Sequence, residues 1–233
     1  MNGRILAIVP AYNEQGNIGG VIDEIHGNVC DCDVIVINDK SKDATSENAR
    51  MKNAIIVDLP CNLGIGGAVQ TGFLYAVRND YSYAVQVDGD GQHIAAEINR
   101  LMDKMNESGC DVVIGSRFLE KRSFRTSFMR RFGIRLFSFI YRTLLRIRIT
   151  DGTSGFRLYN RRAAEYLSEH YPDDYPEPEA VIMLVKKHFK ICETGVGMRE
   201  RQSGISSITP GKSVYYMTKV VLSMFIAFMR KER

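Results

Sequence analysis

The residues best suited to chemistry are two carboxylates that follow a short apolar run. Tyr83–Val87 has the length and composition of a buried strand, and it leads directly into Asp88-Gly89-Asp90. Residues i and i+2 of an extended segment point the same way, so Asp88 and Asp90 can meet one divalent cation. Mg²⁺ or Mn²⁺, held by one or two carboxylates and completed by water and phosphate, suits a diphosphate-bearing substrate. The alternative is a polar turn, where Asp and Gly are common.

Strands and helices that alternate along the chain must position this pair. Strands are predicted at Ile5–Val9, Val34–Ile37, Ala54–Leu59, Tyr83–Val87 and Val112–Gly115, and helices at Ile18–His26, Ala44–Met51, Ala68–Arg78 and Ala95–Asn106. This order indicates an α/β fold, a Rossmann-like and mostly parallel sheet flanked by helices. Ligands of such sheets lie beyond the carboxyl ends of the strands. We therefore expect one crevice lined by Asn13, Glu14, Asp39, Asn62, Asp88 and Asp90.

A glycine-rich segment, Asn62–Gly67, precedes the third predicted helix. We interpret it as a helix start capped by Asn62, with glycines that allow close packing. Helix N-termini attract phosphate, so direct contact with a phosphate group is the alternative.

The chain beyond Gly115 has a different pattern. Arg117–Arg148 holds ten basic residues and one acid, and its Phe, Leu and Ile residues recur at near-helical spacing. Such a segment is typical of an amphipathic helix at an anionic bilayer surface, although a solvated basic surface is the alternative. Asp151–Leu158 is predicted to be a polar loop, and Ala180–Phe189 is predicted to be a helix.

The last predicted helix, Val214–Arg233, is apolar only from Val220 to Met229, too short to span a bilayer. It could lie in the membrane interface, dock on a small membrane protein or a second subunit, or pack on its own domain. We predict a catalytic domain over residues 1–210 and an amphipathic helix over 211–233.

Composition sets broad limits on the protein. Apolar residues make up 45% and charged residues 25% of the 233 residues, which is ordinary for a globular protein. The five cysteines show neither zinc-type spacing nor a C-x-x-C pair, so we expect reduced thiols in a cytosolic protein. The N-terminus lacks a signal-peptide layout. Basic residues would also suit nucleic acid, but the acidic pair argues against a non-catalytic nucleotide-sugar or nucleic-acid binding module, and no nucleic-acid partner is expected.

Six segments occur in an order and spacing that resemble the GT-A, family 2 glycosyltransferases, in particular the dolichyl- or polyprenyl-phosphate hexose synthases. They are Val9–Glu14, Ile37–Asp43, Asn62–Ala68, Asp88–His93, Gly115–Phe118 and Asp151–Arg157. The resemblance implies an inverting transferase that moves a hexose from a nucleotide sugar, expected to be a UDP-hexose, to a polyprenyl phosphate such as undecaprenyl phosphate. The enzyme would be peripheral, at the cytoplasmic face of the cell membrane.

The resemblance also implies roles for individual residues. Those on the donor side are Pro10, Tyr12 and Glu14 near the nucleoside, Asp39 near the base or ribose, Asp88 at the ribose and diphosphate, Asp90 with Gln92 at the metal, and Arg201 at the diphosphate. Those on the acceptor side are Arg117 and Arg131, which would face the acceptor phosphate.

Glu177 and Asp151 are candidate catalytic bases. A base is needed if the acceptor is a hydroxyl, whereas a phosphate monoester is already anionic at neutral pH. Glu177 and Glu179 would otherwise complement the dipole at the start of a helix. The alternative function is therefore transfer of rhamnose or a hexose to a hydroxyl of a lipid-linked or cell-wall polysaccharide.

Four positions depart from the family pattern. Lys40 and His188 stand where glycine is common, Gly152 stands where proline is common, and Thr194-Gly195-Val196 replaces Val-Pro-Val. None of them touches the acidic pair, so the expected reaction class is unchanged, although Lys40 leaves the preferred donor nucleotide open.

Overall fold

The computed structural model describes residues 3–119, 133, 136–173, 175–199 and 210–230. Its elements in chain order are β1 (Ile5–Ala11), α1 (Ile18–Asn28), β2 (Cys32–Asn38), α2 (Thr45–Arg50), β3 (Ile55–Asp58), α3 (Gly64–Arg78), β4 (Tyr83–Gln86), α4 (Glu97–Ser108), β5 (Val112–Ser116), a π-helical turn (Tyr141–Leu145), β6 (Arg157–Asn160), α5 (Arg161–His170), α6 (Pro176–Lys186), β7 (Ile191–Gly195) and α7 (Pro210–Met229).

The strands form one seven-stranded sheet in the order β3-β2-β1-β4-β6-β5-β7. β6 runs antiparallel to both of its neighbours, and the other paired strands are parallel. The predicted α/β fold with a mostly parallel sheet is therefore confirmed. The prediction that Asp151–Leu158 is entirely loop is wrong, because its end begins β6, and β7 and α5 were not predicted.

Helices cover both faces of the sheet, and β1 shows how its residues divide between the two cores. Leu6 and Ile8 enter a core formed with α3, α5, α6 and α7. Ile5, Ala7 and Val9 enter the opposite core, formed with α1 and α4. This alternation follows the period of two along a strand. A strand covered on both faces is apolar throughout, as Ile5–Val9 is.

Because of the direction of β6, the loop before it lies at the edge of the sheet where the parallel strands end. Gln86, the last residue of β4, lies opposite Arg157, the first residue of β6. Because β6 is antiparallel, the loop of residues 151–156 reaches the same edge as the carboxyl ends of β1, β2, β4 and β5.

The prediction that all five cysteines are reduced thiols is wrong for one pair. Cys110 and Cys192 form a disulfide with Cα atoms 6.1 Å apart. Cys192 lies on β7 in register with Val113 of β5. Cys110 lies just before the start of β5. The strand pairing that sequence spacing did not predict therefore brings the two thiols together.

The departures from the family pattern have physical correlates in the backbone. Lys40 and His188, at positions where glycine is common, have φ values of 63° and 59°. A side chain is strained in this left-handed region, which glycine enters freely. At Gly152, a methyl group would lie 2.3 Å from the ring of Tyr141, so this buried ring occupies the space that a side chain would need.

The terminal helix α7 presents two different faces. Val220, Met224 and Ala227 are buried in the core shared with α6. The amino group of Lys186 on α6 donates to the carbonyls of residues 227, 228 and 230 and thus closes the carboxyl end of α7. The opposite face is exposed and apolar, and its residues are Leu222, Phe225, Ile226 and Met229. Within the described parts of the chain, no helix combines the length and apolarity needed to cross a bilayer.

Candidate active site

Two loops at the ends of β1 and β2 are joined by hydrogen bonds into one wall of a crevice. The amides of Asn13 and Glu14 donate to the hydroxyls of Ser41 and Thr45, at 2.9 and 2.8 Å. The side chain of Asn13 accepts in return from the amide of Lys42. This wall carries Pro10, Tyr12 and Glu14, the residues predicted at the nucleoside, and the Tyr12 ring is 47% exposed at its surface.

The Asp39 side chain, at the end of β2, binds the start of α3. Its carboxylate accepts from the amides of Leu63 at 2.6 Å and Gly64 at 2.9 Å, the first turn of α3. The interpretation that Asn62 caps this helix is wrong, since the Asn62 side chain donates to the Asp39 carbonyl instead. Asp39 therefore satisfies the amides that a phosphate would otherwise contact at this helix terminus.

Asp88 is held by a buried histidine. The Asp88 amide donates to His93 Nδ1 at 3.0 Å, so the neutral ring carries its proton on Nε2, 3.5 Å from Asp88 Oδ2. Burial lowers the pKa of His93 to about 4, which keeps the ring neutral. The ring also lies against that of Phe156, with centroids 4.7 Å apart and planes tilted by 32°. His93 thus orients both the backbone and the carboxylate of Asp88.

Asp90 and Gln92 form the outer part of the same turn. Asp90 Oδ1 accepts from the Gln92 amide at 3.1 Å, and the Gln92 side chain donates to the Arg199 carbonyl at 3.4 Å. The turn packs on the end of β1, because a methyl group on Gly89 would lie 3.1 Å from the Pro10 carbonyl oxygen.

The carboxylates of Asp88 and Asp90 are hard oxygen donors of the kind that Mg²⁺ and Mn²⁺ prefer. No group of three His, Cys, Asp or Glu side chains able to hold a metal ion occurs among the described residues. Two carboxylates can bind such a cation only together with other ligands, of which phosphate oxygens and water are the usual ones for Mg²⁺.

Arg117 and Asp151 form a buried ion pair beside this turn. Arg117 Nε lies 2.6 Å from Asp151 Oδ2, and Nη2 lies 2.7 Å from Oδ1. Burial opposes the charge of Arg117, but the bonds to Asp151 and the charges of Asp88 and Glu177 outweigh it, so the pKa of Arg117 is raised. The site thus contains a fixed cation within electrostatic range of Asp88.

Glu193, on β7, binds the backbone that carries the acid of this ion pair. Glu193 accepts from the amide of Thr150 at 2.7 Å and from the amide of Asp151 at 2.8 Å. Burial raises the pKa of Glu193, and these bonds oppose the shift. The loop that carries Asp151 is therefore attached to the sheet.

Glu177 lies in the first turn of α6 and interacts electrostatically with Arg157 and Asp88. Burial is the main cause of its raised pKa, the charge of Arg157 opposes the shift, and the charge of Asp88 adds to it. Gly155 lies close to the side chains of Asp88 and Gln86. A methyl group on Gly155 would lie 3.2 Å from Asp88 Oδ1 and 3.1 Å from Gln86 Nε2.

The described structure brings most of the predicted residues to one edge of the sheet. Those gathered there are Pro10, Tyr12, Glu14, Asp39, Asp88, Asp90, Gln92, Arg117, Asp151 and Glu177. Arg131 and Arg201, predicted at the acceptor phosphate and the diphosphate, lie outside the described residues.

Three supporting residues at this edge were not assigned a role from sequence: Gln86, Arg157 and Glu193. No motif marks Glu193, because its function depends on the pairing of β7 with β5. Gln86 carried a weak signal, as a polar residue inside an otherwise apolar strand.

Comparisons with known proteins concern the family and the fold of this chain. Residues 6–167 match the family described as Glycosyl transferase family 2. The chain is 28% identical to a polyprenol monophosphomannose synthase from Mycolicibacterium smegmatis over 227 residues, covering 93% of this chain and 85% of the relative. It is 29% identical to a UDP-N-acetylglucosamine–dolichyl-phosphate N-acetylglucosaminyltransferase from Methanococcus voltae, covering 82% and 84%.

Solved structures share the fold. Glucosyl-3-phosphoglycerate synthase from Mycobacterium tuberculosis, in complex with Mn²⁺, UDP and glucosyl-3-phosphoglycerate, superposes with a TM-score of 0.72 at 18% identity, covering 99% of this chain and 82% of that chain. The same enzyme has been solved with Mg²⁺ and UDP. The family match covers more than half of the chain, from β1 into α5. This protein belongs to glycosyl transferase family 2.

Proposed function

We propose that this enzyme transfers a hexose from a nucleotide sugar, a UDP-hexose, to a polyprenyl phosphate, with inversion at the anomeric carbon. The observation that carries the proposal is the loop of residues 151–155, because its Asp151 binds Arg117 through two hydrogen bonds and its Gly155 lies against the Asp88 carboxylate. A donor diphosphate at Asp88 and an acceptor phosphate at Arg117 would be neighbours. The names of relatives that act on polyprenol and dolichyl phosphate support this acceptor class.

The donor side would be built by the crevice wall and by the acidic turn that carries Asp88, Asp90 and Gln92. Tyr12 and Glu14 would lie along the nucleoside, and Asp88 and Asp90 would hold Mg²⁺ or Mn²⁺ against the diphosphate. Bound there, the metal would stabilise the charge that develops on the departing nucleoside diphosphate. The solved relatives that contain Mn²⁺ or Mg²⁺ with UDP support this choice of cofactor.

The acceptor phosphate needs attraction and orientation more than it needs a base. A phosphate monoester is anionic at neutral pH, so its oxygen can attack the anomeric carbon directly. Arg117 is already oriented by Asp151, and proximity would supply much of the rate. Asp151, whose two oxygens both accept from Arg117, is better placed to position that residue than to remove a proton.

A membrane surface would deliver the lipid acceptor. The exposed face of α7 (Leu222, Phe225, Ile226 and Met229) and exposed Phe139 are apolar, and Arg142, Arg146 and Arg148 are exposed nearby in sequence to Phe139. Apolar and basic residues together suit an anionic bilayer at the cytoplasmic face of the cell membrane. We expect Leu222→Asp/Ile226→Asp to reduce flotation with vesicles that contain phosphatidylglycerol, whereas Ser223→Asp would have a smaller effect.

Asp90→Ala tests the assignment of the site. We expect loss of transfer to polyprenyl phosphate with an unchanged circular dichroism spectrum. Asp103→Ala, on the exposed surface of α4, is the matched control and should retain full activity. Near-normal turnover by Asp90→Ala would contradict the metal assignment.

A hydroxyl acceptor on a lipid-linked or cell-wall polysaccharide is the second candidate, favoured by Glu177, a carboxyl group whose pKa is raised by burial and by the charge of Asp88. Glu177→Gln separates the two candidates. A loss of several orders of magnitude in kcat would support a hydroxyl acceptor, which needs a base, and a mild loss supports phosphate.

A further inference from the structure

Arg157 is an unusual residue to find in the middle of a sheet. It is the largest of the fully buried side chains in the described structure. It begins β6 and lies between Gln86 of β4 and Ile114 of β5. A buried guanidinium is unfavourable unless its charge and its N–H groups are met, so its presence there needs a physical explanation.

Two of the guanidinium nitrogens hold the loop that precedes β6. Nε donates to the Ser154 carbonyl at 2.7 Å, and Nη2 donates to the Gly152 carbonyl at 2.8 Å. The rigid fork of an arginine can bind two carbonyls at once, which the point charge of a lysine cannot do in the same way. Arg157 therefore determines the shape of the 152–154 backbone.

That loop touches both halves of the candidate active site. At its start, Asp151 binds Arg117 on the acceptor side. At its end, Gly155 lies against the carboxylate of Asp88 on the donor side. A change in the shape of the loop would move Arg117 and Asp88 relative to each other.

The remaining guanidinium nitrogen, Nη1, does not bind the loop. Among the described residues, Arg157 Nη1, Gln86 Nε2 and the Tyr159 hydroxyl are buried polar atoms without a hydrogen-bond partner. Glu177 is the acid whose charge acts on Arg157, and Arg157 acts on Glu177 in return.

We propose that Arg157 is a positioning residue that holds the 151–155 loop in one arrangement, so that Arg117 and Asp88 face each other across the transfer site. The inference rests on the proposed function, because it concerns the distance between acceptor and donor phosphates. Arg157 touches neither substrate and acts only through the loop.

Arg157→Lys tests the proposal, because lysine keeps the positive charge but does not donate to the Ser154 and Gly152 carbonyls in the same way. With nucleotide sugar and polyprenyl phosphate, we expect kcat to fall at least tenfold per folded enzyme. The dissociation constant for UDP with Mn²⁺, measured by calorimetry, should change less than threefold. Arg162→Lys, at the half-exposed start of α5, is the matched control and should leave kcat unchanged. An Arg157→Lys enzyme that is less stable but has wild-type kcat would show a merely structural role and overturn the proposal.

A measurement on the wild-type protein covers the case in which Arg157→Lys does not fold. We expect the ¹⁵N-resolved Nε–H signal of Arg157 to be slow to exchange and to shift when UDP with Mn²⁺ and farnesyl phosphate are added. A signal that neither addition moves would overturn the proposal. Wild-type transfer to polyprenyl phosphate is measured first, so failure of the proposed function is recognised separately from failure at Arg157.

Discussion

Arg117 and Asp151 bind each other through two side-chain hydrogen bonds of 2.6 and 2.7 Å, and Asp151 is completely buried. Sequence reasoning assigned these residues to different tasks, Arg117 to the acceptor phosphate and Asp151 to a catalytic base. In the structure, the acid binds the cation, which suits a role in orienting Arg117. Such a two-point arrangement fixes the plane of the guanidinium as well as its position.

Asp151→Asn should therefore act on both stability and acceptor binding. An amide cannot accept from both guanidinium nitrogens, and a buried charge is left without its partner. We expect the free energy of unfolding to fall by about 3 kcal/mol, and KM for polyprenyl phosphate to rise. Urea denaturation and steady-state kinetics measure the two effects. The same substitution at exposed Asp103 should change neither, and an Asp151→Asn enzyme that loses only kcat would indicate a base.

Gly155→Ala should interfere with the donor side. Its methyl group would lie 3.2 Å from Asp88 Oδ1, which is tighter than ordinary contact, so the carboxylate must move. We expect at least tenfold weaker binding of UDP with Mn²⁺, measured by calorimetry. Gly20→Ala on α1 is the control, because no atom lies within 4 Å of the added methyl group there. Equal UDP affinity in the two variants would show that the Asp88 carboxylate does not depend on Gly155.

Glu177→Gln should change the pH dependence of stability in the absence of metal and nucleotide. The folded protein raises the pKa of Glu177 mainly by burial, with Arg157 opposing and Asp88 adding, so ionisation of this carboxyl group destabilises the fold. That destabilisation is absent below the unfolded pKa of 4.5, grows as the pH rises from there to the folded pKa, and is complete above the folded pKa. We expect Glu177→Gln to melt at a higher temperature than wild type at about pH 8, and the difference to vanish near about pH 3.5. A difference that is independent of pH would contradict burial of an ionisable group.

Lys40→Gly should stabilise the protein, because Lys40 has a φ of 63°. Removing the side chain relieves a left-handed strain of about 1 kcal/mol. His188→Gly, at φ 59°, should give a similar gain in thermal denaturation. Lys42→Gly, a neighbour whose φ is not positive, is the control and should destabilise instead. A loss of stability in Lys40→Gly would mean that the lysine side chain makes a compensating contact.

The parts of the fold that sequence predicted were those with a strong local signal. β1, β2, β4 and β5 are apolar runs buried on both faces, and their carboxyl ends place Asp39 and Asp88 at one edge. β6 and β7 escaped prediction because Arg157 and Glu193 interrupt their apolar pattern. Arg157 is buried and Glu193 is partly buried. Glu193 binds the amides of Thr150 and Asp151, which are distant in sequence, and periodicity holds no information about such partners.

The sequence indicated candidate residues of the site one by one, but it did not indicate the contacts between them. The acidic turn was identified from its own residues, whereas the hydrogen bonds of Asp39 to the start of α3 and of Arg117 to Asp151 depend on tertiary structure. His93 is the clearest example. It is adjacent to the turn in sequence, but only the folded backbone brings its Nδ1 to the amide of Asp88.

The most direct test of the account is the chemical identity of the product. Purified enzyme would be incubated with Mn²⁺, a panel of nucleotide sugars and undecaprenyl phosphate in membranes, and the lipid fraction would be analysed by mass spectrometry. We predict a species equal to undecaprenyl phosphate plus one hexose, formed by wild type and absent with Asp90→Ala. Transfer only to a sugar hydroxyl, with undecaprenyl phosphate left unmodified by every donor, would contradict the proposed acceptor.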